Sequence, residues 1–469
     1  MARDLRTFIE RVEQMQPAGI RRVKQEVSSE YEISAILRKL QRRGETPLLI
    51  FERVKGSDVP VVTNLFADNP KLAMALEVPE EDLLQTFIRR EENRIPPRPV
   101  KDGPVKEHVI TGNAVDLYSL PLVTQCEKDG GAFVTAGVTI VRDPDSGDFN
   151  SGIYRQMRHE RNLLGMCFEP QSHLGYSYRK MESRGEGLPA VTYVGHHPVC
   201  QMGSQSRVSL GEDEMAVMGG LMEEPVELVP CETVDLMVPA HAEIALEGVI
   251  RPFERRWEGP FGEYTRCYGY ARNSAVFEVT AITHREKPYY QDLLSVGPEH
   301  LLVTRLGREA VLYQKVRSSC PSVLDVSMPL SGMCRMTAYV QIDKQYDGEA
   351  KIAALAALAS DAFVKLAVIV DKDVNVRNEE DVLWAIATRT QPDQDTFFVP
   401  NSIGSRLDPS GYSVWSRHER NGMNTKWAID ATMPIEAPFE ELAEVPKDVL
   451  DGIDLGDYFE DLKETRRGG

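Results

Sequence analysis

Two short stretches of the chain hold side chains able to do chemistry together. Glu258-Gly-Pro-Phe-Gly-Glu263 sets two carboxylates on either side of a turn built from Gly259, Pro260 and Gly262. Such a turn can fold both acids toward one point, where repulsion and burial raise one proton affinity while an arginine holds the other ionised. A carboxylic acid is kept able to donate a proton near neutral pH in this way. The plain alternative is two exposed acids on a loop. The second stretch, Asn150-Ser-Gly-Ile-Tyr-Arg155, places an amide and a guanidinium close to a turn. Their odd separation sends them to opposite faces of an undistorted strand. Either they serve different ligands, or the chain bends and unites them.

Several common sites are missing. No Gly-x-Gly-x-x-Gly follows a strand-like run, and no phosphate loop ends in Gly-Lys-Ser/Thr, so an ordinary dinucleotide or nucleoside-triphosphate site is not signalled. Gly-x-Ser-x-Gly is absent as well, which weakens a serine-hydrolase reading.

The elements that must position these residues fall into three stretches. In the first hundred residues, Leu5, Phe8, Ile9 and Val12 recur at helical spacing, as do Ile33, Ile36, Leu37 and Leu40. Pro47–Phe51 reads as a buried strand, a helix is expected over Glu80–Arg90, and the proline-rich Ile95–Val100 reads as a linker. From about Val105 to Val296 strands dominate. Phe133–Val141 and Gly152–Gln156 flank the hairpin-like Asp143-Pro-Asp-Ser-Gly147, and further strands are expected at Val191–Val194, Val226–Val229, Glu243–Val249 and Val276–Thr283. Many strands with few long helices imply a barrel or sandwich-like core. After Leu301 the pattern alternates: a helix through Tyr313, the strand Met336–Ile342, a helix over Glu349–Ala362, the strand Leu366–Val370, a helix capped by Asn378, and Thr396–Val399. That order predicts a parallel α/β layer. The acidic tail, Glu436–Asp461, reads as a solvated helical face or as a surface packed on a neighbouring subunit.

The 469 residues imply two or three domains. The net charge of −18 argues against a nucleic-acid surface. It leaves room for an anionic substrate held by a few arginines. No apolar run approaches the length of a membrane span, about 18 residues or more. The N-terminus lacks the apolar stretch of an export signal, and seven scattered cysteines without Cys-x-x-Cys read as reduced thiols. A cytoplasmic protein is expected.

The two chemical stretches recur with others in a fixed order. These are Ser172-His173, Asp213-Glu214-Met-Ala-Val-Met-Gly219-Gly, Val238-Pro-Ala-His-Ala-Glu-Ile-Ala-Leu-Glu-Gly248, Asp371-Lys-Asp-Val-Asn375, Leu383-Trp-Ala-Ile-Ala-Thr-Arg389, and Thr425-Lys426 before Asp430. Jointly, from about residue 100 to residue 435, the chain resembles the UbiD family of prenylated-FMN-dependent (de)carboxylases. The resemblance implies an α+β protein with an N-terminal α/β segment (1–100) and a central split β-barrel that binds the flavin (101–300). A C-terminal α/β oligomerisation domain (301–469) carries the acidic tail. It implies reversible, non-oxidative decarboxylation of an aromatic, heteroaromatic or α,β-unsaturated acid through a covalent adduct with prenylated FMN.

By that resemblance Arg155, Glu258 and Glu263 are the catalytic trio, with Glu263 the proton donor. Asn150, His173 and Glu214 are the metal ligands linking Mn2+ or Mg2+ to the cofactor phosphate, a hard, mixed donor set suited to such ions. Potassium is a further implied ion. Lys426 contacts the phosphate, and Thr135, Ile153 and Ser172 lie against the flavin. A flavin prenyltransferase would supply the cofactor, and a homo-oligomer, dimer or hexamer, is implied; a nucleic-acid or membrane partner is not. His300, Arg308 and Arg335 resemble in type and spacing the polar trio with which furan-dicarboxylate decarboxylases grip the carboxylate that is retained. A phenolic benzoate or a phosphorylated alkenoate is the alternative substrate. The chain departs from its relatives in two places. Ser172 stands where some carry Gln, and Tyr264-Thr-Arg266-Cys-Tyr268 where many read Thr-Gly-Tyr-Tyr. Arg266 either adds charge near the site or points outward. Two other classes are a flavin-independent metal hydrolase built on Asn150, His173 and Glu214, and a non-catalytic flavin carrier.

Overall fold

The computed structural model of the protein describes residues 3–412, 423–436, 438–440, 442–443 and 445–459. Its centre is an antiparallel sheet whose eight-strand path runs Phe133–Val134, Gln156–Arg158, Leu163–Met166, Arg272–His284, Ile244–Glu258, Leu188–Val194, Val138–Arg142 and Phe149–Ile153; His108–Thr111 adds a ninth strand beside Arg272–His284. Sequence connectivity dictates how this sheet curls. The strand Phe149–Ile153 lies at one edge, and the next strand in sequence, Gln156–Arg158, is six strand spacings away along the path. In a flat sheet that is about 29 Å, yet the three Cα steps from Ile153 to Gln156 reach at most about 11 Å. The three residues between Phe133–Val134 and Val138–Arg142 impose the same closure from the other side. The sheet must wrap into a barrel whose edges meet without pairing. Thr135, Tyr154 and Arg155 lie on the two chain segments that cross this slit.

The turn at Asp143–Gly147 forms as expected. It pairs Arg142 with Phe149 and Val138 with Ile153, and Asp143 accepts hydrogen bonds from the Asp145 and Ser146 amides. The long strand Ile244–Glu258 is bulged twice against Arg272–His284. Gly248 sits at the first bulge, where a Cβ would lie 1.8 Å from the Glu278 carbonyl oxygen.

The N-terminal helices Leu5–Met15 and Glu32–Gln41 fall on the predicted periodicity, with Leu5, Phe8, Ile9 and Val12 buried. Their sheet is completed from elsewhere: Tyr290–Gln291, beyond the barrel, pairs in parallel with Val61–Thr63. The helix expected over Glu80–Arg90 begins as a 3-10 turn and runs Leu83–Glu92. The proline-rich segment read as a linker is in part a strand, Arg98–Pro99, pairing with Glu227–Pro230; proline is tolerated there because the strand lies at a sheet edge.

The C-terminal layer is a five-stranded sheet ordered Val323–Ser327, Thr337–Ile342, Leu366–Asp371, Met423–Ala431, Thr396–Ile403. The three central strands are parallel, of which Thr337–Ile342 beside Leu366–Asp371 is the pairing the sequence predicts, but both edge strands run antiparallel. The sequence predicts that Thr396–Val399 continues the parallel order; the structure extends it to Thr396–Ile403 and turns it antiparallel. Met423–Ala431, which was not read as a strand, takes the inner position, and the earlier segment turns back against its outer side. The 22-residue helix Pro298–Ser319 ties the layer to the barrel. Its Glu299, fully buried, accepts the amides of Asn64 and Leu65 at 2.8 and 2.6 Å. In the tail, Lys447–Asp451 is helical, and Val449, Leu450, Leu455, Tyr458 and Phe459 are exposed; the remainder of the acidic stretch to Asp461 lies partly outside the described residues.

Candidate active site

Arg155 crosses the slit of the barrel and meets both acids of the 258–263 turn. Its guanidinium donates to Glu258 through Nε and Nη2 at 2.8 and 2.9 Å, a forked pair, and through Nη1 to Glu263. Glu258 ends the strand Ile244–Glu258, opposite Arg272. Gly259, at φ 93°, and the cis Gly259–Pro260 peptide turn the chain, and Phe261–Gly262 pairs back onto Tyr268–Gly269. Asp129 pins this turn by accepting the Gly262 amide at 2.9 Å, while the Gly130 amide donates to the Pro260 carbonyl at 2.8 Å. Phe261 lies beneath the Arg155 guanidinium, 4.9 Å from its carbon. Both acids are buried, so two exposed loop carboxylates are excluded. Burial raises the proton affinity of Glu263 against the opposing charges of Arg155, Arg272 and Arg335.

A cavity of about 240 Å3 opens at Arg155 and Glu263, with Glu258 buried behind them. Thr135, Ile153, Arg155, Glu263, His300 and Arg335 line it together with Tyr154, Cys167, Gln205 and Arg272. The first six were expected from sequence. Cys167 and Arg272 were not, because only the pairing of distant strands brings them beside Glu263. Arg335 lies over the ring of Tyr264, 4.1 Å from its centroid, and reaches the Thr304 hydroxyl at 3.3 Å. His300 accepts no proton readily: burial lowers its pKa to about 3, helped by Arg335. Its Nδ1 lies 2.8 Å from the Ser295 carbonyl oxygen, which sets that nitrogen as the donor and leaves Nε2 an acceptor.

A second cavity of about 530 Å3 shares Ile153, Tyr154, Gln205 and Thr304 with the first. Asn150, Ser172, His173, Glu214, Arg207 and Arg308 line it. His173 and Glu214 are the first residues of two helices, His173–Ser183 and Glu214–Met222, so two helix N-termini converge where an anion is favoured. Asn150 Nδ2 lies 2.9 Å from Glu214 Oε1, and His173 Nδ1 is 3.6 Å from the same oxygen. Among the described residues no three His, Cys, Asp or Glu gather as a metal site; here an amide completes the donor set. One amide oxygen, one imidazole and one carboxylate beside two arginines fit a hard divalent ion carrying a phosphate. Ser172 caps its helix, accepting the Gly175 amide at 3.1 Å.

Two sequence-predicted residues are placed differently from the rest. Arg308 lines the second cavity rather than the first, donating to Asp361 at 2.5 Å, an acid it shares with Arg207. Lys426 lines neither. Its Nζ donates to the Leu358 and Asp361 carbonyls at 2.6 and 2.9 Å, closing the end of the helix Glu349–Ser360. Arg266 is exposed and faces a third cavity, with Arg38 and Arg42.

A curled barrel with an acid–arginine–acid trio at its slit, flanked by two α/β layers, defines a class of carboxy-lyases. The chain matches that class in all three of its domains: the 3-octaprenyl-4-hydroxybenzoate carboxy-lyase N-terminal domain over residues 14–91, the Rift-related domain over 98–298 and the C-terminal domain over 302–431. It is 35% identical to the anhydromevalonate phosphate decarboxylase of Methanothermobacter thermautotrophicus over 413 residues, 88% of this chain and 94% of that one. The structure superposes on HmfF, a UbiD-class enzyme of Pelotomaculum thermopropionicum in complex with FMN, with a TM-score of 0.91 at 42% identity, covering 97% of this chain and all of that one. An evolved dimeric form of HmfF in complex with prFMN matches at 0.87 and 39%, over 98% of this chain and all of that one. The 3,4-dihydroxybenzoic acid decarboxylase of Klebsiella pneumoniae matches at 0.89 and 26%, over 98% and 100%. The chain belongs to the UbiD family, and it is a carboxy-lyase. No helix among the described residues is long and apolar enough to cross a membrane.

Proposed function

We propose that the protein decarboxylates, reversibly, a heteroaromatic dicarboxylic acid of the furan-dicarboxylate type with prenylated FMN as cofactor. The observation that carries this reading is Arg155, held from behind by Glu258, beside Glu263 on the wall of a cavity that continues to Asn150, His173 and Glu214. Asn150, His173 and Glu214 would hold Mn2+ or Mg2+ and, through it, the cofactor phosphate. The flavin would supply the electron sink for carbon dioxide loss.

The chain's own residues do the rest. The forked Glu258 pair fixes the plane of Arg155, which orients the carboxylate that departs. Glu263, its proton affinity raised by burial, delivers a proton to the carbon left behind; in carboxylation the same oxygen removes it. His300 Nε2 and Arg335 face the substrate side, with Arg308 behind them. Arginine at this depth favours a second anionic group on the substrate. The likeness to the FMN-bound UbiD-class enzyme HmfF, at 42% identity, is compatible with the furan-type branch. The likeness to anhydromevalonate phosphate decarboxylases favours a phosphorylated alkenoate as the second reading, and Arg207 beside Arg308 is the feature that would serve its phosphate.

The test is enzyme co-expressed with a flavin prenyltransferase and assayed without oxygen against both acids and a dihydroxybenzoate. Arg335→Gln is expected to weaken a dicarboxylate at least ~10-fold more than the matching monocarboxylate, the scale of one lost charged hydrogen-bond pair. Equal losses would remove the second anion. Colourless protein with full decarboxylase activity would remove the flavin from this reading.

A further inference from the structure

Arg266, on the turn that follows Glu263, does not serve the active cavity. It closes one side of a separate cavity of about 380 Å3 whose other walls carry Arg38, Gln41 and Arg42 from the helix Glu32–Gln41 and its end, and Val296, Gly297, Pro298 and Leu301 from the start of the helix Pro298–Ser319. No aspartate or glutamate lines it. Among the described residues neither Arg42 nor Arg266 has an ion pair, and the Arg38 guanidinium donates only to the side-chain amide oxygen of Gln41, at 2.9 Å. Three guanidinium groups thus share one space without a counter-charge, in a chain whose net charge is −18. The mutual repulsion is felt: burial, then Arg266 and Arg42, lower the proton affinity of Arg38. Gln41 Nε2 is buried without an acceptor and lies against Gly297, the cap of the long helix, whose cap has no side-chain hydrogen bond. Every charged group that lines this space is therefore a donor.

We propose that this cavity is a second anion site, taking a small phosphate-type oxyanion, and that its occupant clamps the turn carrying Glu263. The coupling is covalent and short. The Arg266 amide donates to the Glu263 carbonyl at 2.8 Å, and the Glu263 amide to the Cys267 carbonyl at 2.9 Å. The wall between the two cavities is shared as well, since Ser295 and His300 face the active cavity while Val296, Gly297 and Leu301 face this one. An anion drawing Arg266 toward Arg38 and Arg42 holds the turn on which the acid stands. Leu330 and Ser331 complete the rim, so one ion touches the N-terminal unit, the barrel turn and the C-terminal layer. The binding stands independently of the proposed reaction; only the consequence for the acid rests on it.

The test uses flavin-loaded enzyme, in which the cofactor's own phosphate site is filled, titrated calorimetrically with inorganic phosphate and with glycerol 2-phosphate in phosphate-free buffer. Saturable binding is expected, at least ~10-fold weaker in Arg38→Gln/Arg42→Gln and in Arg266→Gly, which keeps the left-handed turn at φ 62°. The affinity is expected to be unchanged in Arg335→Gln. Tighter binding of the ester assigns the site to a phosphorylated metabolite, and tighter binding of phosphate to the free ion. Affinity that survives the Arg38/Arg42 changes, that falls in Arg335→Gln, or that is absent overturns the site. Amide hydrogen exchange over residues 263–269 is expected to slow when phosphate is added. Unaltered exchange there, with binding intact, overturns the clamp alone.

Discussion

Glu263 is the residue on which the proposed proton transfer turns, and its environment explains why a carboxyl can serve. It is buried, and burial outweighs three nearby arginines in setting its proton affinity. Glu263→Gln keeps the shape and removes the proton. Turnover, and exchange of solvent deuterium at the reacting carbon, are expected to fall by about 10^2–10^4, the range for a lost general acid, with flavin absorbance and bound metal unchanged. Normal turnover in that variant would take the acid role away from Glu263. The pH dependence carries a definite sign. An acid whose pKa is raised stays protonated to higher pH, so decarboxylation should proceed on the acid side and fall as pH rises through that raised value. The limb should be read from kcat/KM and should vanish from the residual rate of the Gln variant.

At the scale of elements, the site depends on connections that no single segment contains. Glu299 occupies the first turn of the long helix but serves residues 64 and 65, more than two hundred positions earlier. Glu299→Ala leaves two buried amides without acceptors, and is expected to lower stability by about 2–4 kcal/mol, measured by urea denaturation. A loss below about 0.5 kcal/mol, the surface range, would show that those amides find other partners. Gly248 plays the matching part in the barrel. Its bulge brings the strand within 1.8 Å of the Glu278 carbonyl for any Cβ, so Gly248→Ala is expected to shift both strands and loosen the Glu258–Arg272 pairing at their far end, seen as lowered thermal stability together with weakened flavin retention. This bend, rather than the strands themselves, aims the catalytic turn.

For the whole molecule, two buried acids lie at the joint between the N-terminal unit and the barrel, and they tie stability to pH. Burial raises Asp292 to about 6 and Glu299 to about 7, in spite of the hydrogen bonds each accepts. The unfolded chain ionises them near the ordinary values of 3.8 and 4.5. Their contribution is then fully present below about pH 4 and is lost as pH rises through 6 and 7, on the order of 3 kcal/mol each. The urea midpoint is expected to fall across that window, and less steeply in Asp292→Asn. The same slope in both proteins would place the titration elsewhere.

The α+β class, the helical faces of residues 5–12 and 33–40, the Asp143–Gly147 hairpin and the acid pair at 258 and 263 were all legible in the chain, because each rests on periodicity, turn chemistry or a short motif. So were, by their order alone, the motifs that carry the UbiD resemblance. Proximity was not legible. Arg155 and Asn150 sit on opposite sides of a strand end in sequence terms; only the closure of the barrel makes Arg155 cross the slit to Glu258 while Asn150 meets Glu214. Arg308, Lys426 and Arg266 show the same limit, since spacing names a charged residue and tertiary packing decides which cavity it faces. Local sequence sets what each segment can become, because those preferences act over a few residues. Strand order, edge direction and the choice between three cavities come from long-range closure, which no window of the chain contains.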